Sequence, residues 1–177
     1  LNRDKLKIIM KTFIQSQFNY CPFLRMNHNR TLNNKINRLH ERALRIVYKN
    51  DSFSFHDLLD LDNSVTVHQK NLQKLATEMY KVKNHLSPLP MQDIFKEHVN
   101  SIDLRNNRNW EVSKVRTVYY GLETIRYRGL KTWEIIPSDI KESKTLVEFK
   151  AKIKHWRPTN CTCRLCKIYI HDLGFIN

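Results

Sequence analysis

Cys161, Cys163 and Cys166 fall within six positions, and His171 follows shortly after. Thiolates hold zinc strongly, and structural zinc takes four nitrogen or sulfur ligands in a tetrahedron. The Cys-x-Cys and Cys-x-x-Cys spacings can set three sulfurs around one ion, with His171, His155 or a water completing the sphere. Three readings of this tail stand side by side. One is a small zinc knuckle that docks nucleic acid, with Lys152, Lys154, Arg157, Arg164 and Lys167 close in sequence. Another is a structural zinc staple that fixes a short terminus. The third is a set of unliganded thiols. Histidine chemistry elsewhere is thin: His28, His40, His56, His68, His85 and His98 are scattered, and none has a nucleophile at an informative spacing. His40 and His68 lie near apolar helical positions, where satisfied, half-buried imidazoles are expected.

The cations form a second pattern. Arg38, Arg42 and Arg45 recur at i, i+4 and i+7, which makes a stripe along a helix. Lys7 and Lys11 lie beside the apolar stripe of an earlier helix, and Arg116, Arg126 and Arg128 fall in a later β-rich stretch. Net charge is +14, spread unevenly. Residues 1–50 carry eleven Lys/Arg against two acids, residues 51–100 five against seven, and residues 101–177 fifteen against eight. Two basic lobes flanking a near-neutral middle favour a polyanion, with nucleic acid foremost: RNA, DNA or an RNA–DNA hybrid. A solvated basic surface without a ligand is the alternative. Tyr119, Tyr120 and Tyr127 offer either base-stacking rings or a half-core, half-surface patch.

These groups need elements to hold them. A chain of 177 residues supports one good core or two small ones. Three glycines are too few for a turn-rich all-β fold. No run of about 18 apolar residues is present, so no membrane span is expected. The opening residues alternate charged and apolar side chains, unlike a signal peptide. A start at Leu1 leads to the expectation of a fragment. Bunched cysteines, with Cys21 apart, fit a reducing compartment, and an intracellular protein of cytoplasm and nucleus is expected.

Helical spacing of Leu6, Ile9, Met10, Phe13 and Ile14 predicts a helix over 4–18 capped by Asp4. A second helix is predicted over 30–48, with Leu32, Ile36, Leu39, Ala43, Ile46 and Val47 inward. Ser54 and Asp57 have capping-box spacing ahead of a helix from Phe55 to Asp60. Ser64 is expected to cap a helix over about 65–84 that turns Leu72, Leu75, Ala76, Met79 and Val82 inward, and a short helix near 91–97 should follow. Val115–Tyr120 and Leu122–Tyr127, parted by Gly121, read as a β-hairpin packed on Trp133, Ile135 and Ile136. Thr145 and Glu148 should box a last helix lined by Leu146, Phe149, Ile153 and Trp156. The expected fold is therefore α-rich α+β: a helical bundle over 1–98, a β-hairpin-plus-helix module over 99–157, and a Cys-rich, zinc-binding tail over 158–177.

Several strings in this order carry a family resemblance. They are Phe13-Ile-Gln-Ser-Gln-Phe-Asn-Tyr20-Cys-Pro22, Leu39-His-Glu-Arg-Ala-Leu-Arg-Ile-Val-Tyr48, Asp62-Asn-Ser-Val-Thr-Val-His-Gln-Lys-Asn-Leu72 and Glu78-Met-Tyr-Lys-Val82. Later come Tyr120-Gly121, Lys131-Thr-Trp133, Ile136-Pro137, Phe149-Lys150, Ile153-Lys154-His-Trp156, the cysteine tail and Gly174-Phe175-Ile176. Together they resemble the region after the polymerase core of LINE-type, non-LTR retrotransposon reverse transcriptases. The resemblance implies a helical thumb and C-terminal extension from a transposable element, lying along a template–primer duplex. Its cations would meet phosphates, with Arg38, Arg42 and Arg45 foremost and Lys7 and Lys11 behind them. The missing partner would be the polymerase palm. Reverse transcription needs carboxylates on two magnesium ions, two of them adjacent aspartates in this family. No Asp-Asp pair occurs in the sequence, so magnesium belongs only to the missing core, and the chain alone is not expected to polymerise DNA.

Two alternatives were weighed beside this reading. One is a degenerate stand-alone fragment with structural zinc and no activity. The other is a restriction-like endonuclease, since Pro137-Ser-Asp139 is followed by Glu148-Phe-Lys150. Such a site wants its Glu-x-Lys on a strand, where i and i+2 share a face. Glu148 instead holds the third position of a capping box, so the match is put down to chance.

Overall fold

Asn29 opens the longest helix by accepting the backbone N–H of Leu32 at 2.9 Å, and the helix runs from Arg30 to Tyr48. The computed structural model in which it is seen describes residues 2–26, 29–95, 110, 115–117, 121–122, 124–158 and 165. The elements are α1 (Arg3–Ile9), a π-helical segment (Met10–Gln15), α2 (Ser16–Asn19), α3 (Pro22–Arg25), α4 (Arg30–Tyr48), α5 (Phe55–Leu61), α6 (Val67–Lys83), α7 (Leu89–Ile94), α8 (Ile125–Ile135), α9 (Ser138–Lys141) and α10 (Leu146–His155). Two compact units result, Leu1–Asn71 with Thr159–Asn177, and Leu72–Pro158; the boundary falls inside α6.

In the first unit, Met10, Ala43, Leu44, Val47, Leu58 and Leu59 form the core, with Leu6, Ile14, Tyr48 and Phe55 packed against it. The opening helix begins one residue earlier than expected, with Asn2 rather than Asp4 at the cap. It also presents a different face. Leu6, Met10, Ile14 and Phe18 turn toward the interior, while Ile9 and Phe13 are exposed. Residues four apart drift by about 40° per step on an ordinary α-helix. The wider π segment at Met10–Gln15 takes up part of that drift and keeps every fourth residue on one side.

A comparable correction applies to α4. Its buried row is Asn33, Asn37, His40, Ala43, Leu44 and Val47. Leu32, Leu39 and Ile46, expected inward, are 44%, 54% and 63% exposed. The expected stripe joined two apolar rows, and only Ala43 and Val47 from it are buried against α1 and α5. The Ser54–Asp57 box forms as expected: Asp57 Oδ2 accepts from the Ser54 N–H at 3.0 Å, and Ser54 Oγ accepts from the Asp57 N–H at 3.2 Å. The Ser54 hydroxyl also donates to Asp57 Oδ2 at 2.6 Å, and this bond, followed by that from the Ser54 N–H, holds the Asp57 carboxyl below its ordinary range. The start of α6 is boxed by Thr66 and Gln69 rather than by Ser64.

In the second unit, Leu72, Leu75, Ala76, Met79 and Val82 of α6 are buried as their spacing requires. Tyr80 stacks on Phe149 with centroids 4.3 Å apart and donates its hydroxyl to the Ser143 carbonyl at 2.7 Å. The Gln73 amide donates to the carbonyls of Lys154 and Trp156, satisfying the end of α10. Glu148 caps α10 differently from a reciprocal box: Thr145 Oγ1 accepts from the Glu148 N–H, but Glu148 Oε2 accepts from Lys144. The helix expected near 91–97 occupies Leu89–Ile94.

Every element among the described residues is helical, and the expected β-hairpin is not seen. Residues 118–120 and 123 lie outside the described set. The Leu122 N–H donates to the Thr117 carbonyl across Gly121, Thr124 Oγ1 accepts from the Tyr127 N–H, and α8 begins at Ile125. The second proposed strand is thus a cap and a first helical turn. Its β-branched composition yields to tertiary packing, because a helix here buries Leu130 and Trp133. Trp133 and Ile135, assigned to the hairpin's packing partner, belong to the same helix.

Candidate nucleic-acid interface

α4 positions the cations of the first unit. At 100° per residue, Lys35, Arg38 and Arg42 fall within an arc of about 60°. Lys49 continues the line as the C-cap, in left-handed geometry with φ of 51°. All four are exposed, and none has an acidic or hydrogen-bonding partner among the described residues. Lys35 and Lys49 were not singled out in the sequence. Their i+3, i+7 and i+14 spacing around Arg38 and Arg42 is the signal that would have found them.

The other expected contacts divide by what they already touch. Lys7 Nζ lies 2.8 Å from Asp62 Oδ1 and donates to the Tyr48 hydroxyl at 3.2 Å, and Tyr48 donates to the same carboxylate oxygen at 2.8 Å. The hydrogen bond from Asp62, then that from Tyr48, raises the Lys7 pKa above its ordinary value. The Asp62 side chain is buried, and the Arg3 guanidinium covers the Tyr48 ring at 4.6 Å. Lys7 therefore ties α1 to the end of α5, and its charge is largely spent inside the fold. Arg45 is held in the same way, 2.7 Å from Glu41 and hydrogen-bonded to the Asp51 carbonyl. Lys11 is exposed and lacks such a partner among the described residues, as does Arg116 of the second unit, whereas Arg126 is partly buried and engaged.

Beneath the cation line, the buried side of α4 is polar over its first half, at Asn33, Asn37 and His40. His40 is 3% exposed and wedged edge-on between Phe18 and Phe55, at centroid distances of 5.8 and 5.7 Å. Among the described residues neither ring nitrogen has a hydrogen-bond partner, nor does Asn37 Oδ1 one turn earlier. The expectation of a satisfied imidazole fails here, because the neighbours that α2 and α5 supply are phenyl rings. Burial pushes the His40 pKa down to about 4, with Asp62 opposing and Lys70 adding slightly to the fall. Lys70 is itself lowered, chiefly by burial.

Cys161, Cys163, Cys166 and His171 all lie outside the described residues, and among the described ones no group of three or more His, Cys, Asp or Glu is placed to hold a metal. Tyr119 and Tyr120 likewise lie outside; Tyr127 is half-buried in α8, with the Lys131 ammonium 6.0 Å from its ring centroid. The endonuclease-like residues are arranged for structure. Glu148 and Lys150 lie about 200° apart on α10. Glu148 binds Lys152 at 2.8 Å, and that contact, followed by the Lys144 N–H, lowers its pKa. No helix among the described residues is long and apolar enough to cross a membrane. Searches of protein-family models, of curated proteins and of solved structures found no match to this chain.

Proposed function

We propose that this chain binds the phosphate backbone of a nucleic acid through α4, in the manner expected of a reverse-transcriptase thumb and C-terminal region without its catalytic palm. The observation that carries this reading is the exposed line Lys35, Arg38, Arg42 and Lys49, uncompensated by acids among the described residues. Successive members from Lys35 to Arg42 lie about 4.5–6 Å apart along the axis, a spacing comparable to that of neighbouring phosphates. Such contacts fix position and read shape rather than base sequence. The proposed partner is RNA, DNA or an RNA–DNA hybrid, in cytoplasm and nucleus. The test is filter binding of an RNA–DNA hybrid over a salt series. Affinity should fall steeply with salt, and Arg38→Gln with Arg42→Gln should lower the log–log slope by about two units. A salt-independent affinity, or an unchanged slope in the double variant, would refute phosphate contact by α4 and favour an inactive fragment. For the cysteine tail the proposal is one structural zinc on Cys161, Cys163 and Cys166, with His171 as the fourth ligand.

A further inference from the structure

The cation line occupies only half of the solvent-facing side of α4. Beside it runs an apolar row, Leu32, Leu39 and Ile46, one residue every seven. In heptad terms these are three successive positions of one type, and Lys35, Arg42 and Lys49 are the next core-type position, three residues on. A seven-residue repeat of aliphatic side chains is a seam that a second helix can follow along its whole length. It is of no use to a phosphate backbone, which offers anionic oxygens to an aliphatic row. It is also too narrow for a lipid surface, since the row spans only about 40° of arc, against the 100° or more of a broad apolar face. The exposure is not shared with the core, for Asn33, Asn37, His40, Leu44 and Val47 face the other way.

We infer that this face of α4 docks an acidic amphipathic helix of a partner protein, apolar residues against Leu32, Leu39 and Ile46 and carboxylates against Lys35, Arg42 and Lys49. Charge complementarity selects that occupant. A second copy of this chain, at +14, would bring like charges together along the same line. Arg38 lies on the flank of the seam, where a further acidic residue would meet it. The cations are those of the proposed phosphate line, so partner helix and nucleic acid exclude one another here. The helix site itself does not depend on the nucleic-acid reading.

The test uses the full chain and a designed 21-residue peptide: three heptads with Leu in the apolar row and Glu in the row beside it. A scrambled peptide of equal composition is the control. Fluorescence anisotropy should show the designed peptide binding at least tenfold more tightly than the scrambled one. Leu39→Asn, which removes the aliphatic contact without adding charge to the cation line, should remove that preference while leaving hybrid affinity within twofold and the urea midpoint unchanged. Because a surface change can still perturb folding, a charge swap supplies a second arm: Lys35→Glu with Arg42→Glu should reject the Glu peptide and bind its Lys counterpart. Equal binding of designed and scrambled peptides, or no recovery in the charge swap, would overturn the inference. So would an equal loss of hybrid binding in the uncharged Leu39→Asn, which gives the row to nucleic acid, or Leu39-dependent sedimentation with phosphatidylserine vesicles, which gives it to lipid. Failure of hybrid binding alone would sink the phosphate reading and leave the peptide result standing.

Discussion

His40 places two polar nitrogens in a setting of phenyl rings, with neither nitrogen hydrogen-bonded among the described residues. Leaving such groups unpaired costs about 1–3 kcal/mol each. The neutral ring is the form this site tolerates, and the acid response follows from that. The folded-state pKa of about 4 lies below the unfolded value of 6.5, so the unfolded chain binds the proton more readily in between. His40's contribution is fully present above pH 6.5 and is lost as pH falls toward 4, by roughly 3 kcal/mol over that window. Urea unfolding of wild type and His40→Phe across pH 4–7.5 measures the difference. The variant should be the more stable at neutral pH and should lack that part of the acid slope. Parallel slopes in both proteins would show that carboxylates alone carry the acid sensitivity. The sequence marked His40 as near apolar positions; it did not reveal the two phenylalanines, which come from 22 residues before and 15 after it.

Helix existence was legible at the scale of the element, and helix rotation was not. Capping residues and apolar periodicity located α4, α5, α6 and α10 because those signals are local. Which apolar row faces inward depends on what packs there. On α4 Asn33, Asn37 and His40 were buried with Ala43, Leu44 and Val47, and the row Leu32, Leu39 and Ile46 was left outside; on α1 the π segment changed the phase. The stretch before α8 failed for a related reason: β-branched and aromatic residues mark a surface that packs well, and here the packing is helical. Gly129 shows how close that packing is. A Cβ at this position would come within 2.7 Å of Phe95 Cε1 and 2.9 Å of Met79 Sδ. Alanine normally gains about 1 kcal/mol over glycine inside a helix. At this site overpacking against the buried Phe95 ring reverses the sign, and Gly129→Ala should lose about 1–2 kcal/mol in urea unfolding. A stabilised variant would mean that Phe95 moves aside at little cost.

For the whole molecule, the two units divide the chemistry. The first holds the cation line, the apolar seam and the buried imidazole, while the second is built around Tyr80, Trp133 and Phe149. Trp133 is flanked by the ammonium groups of Lys83 and Lys141, each within 6 Å of its ring centroid. Lys141 is lowered in pKa by burial first and by Lys83 second. The proposed zinc is likewise a property of the whole chain. Cobalt added to the 177-residue chain should give the absorption of tetrahedral thiolate coordination with one equivalent bound, and Cys163→Ser should weaken it. No binding at micromolar cobalt would leave the thiols unliganded. His171→Ala separates the fourth ligand from the three sulfurs, because only loss of the tetrahedral spectrum assigns the imidazole.

From the residues alone came the helices, the Ser54–Asp57 cap of α5, the basic character of the first fifty positions and the bunched cysteines. Each of these is written in spacing, composition or charge, which neighbours in sequence determine. Arg45 meets Glu41 one turn earlier, a pairing that its i, i+4 spacing allows. Tertiary structure alone decided that Lys7 is engaged, by bringing Asp62 and Tyr48 to it from distant parts of the sequence. It also decided that Leu32, Leu39 and Ile46 face solvent. A helix carries its rows of side chains in fixed register, and only the elements packed against it select the row to be buried.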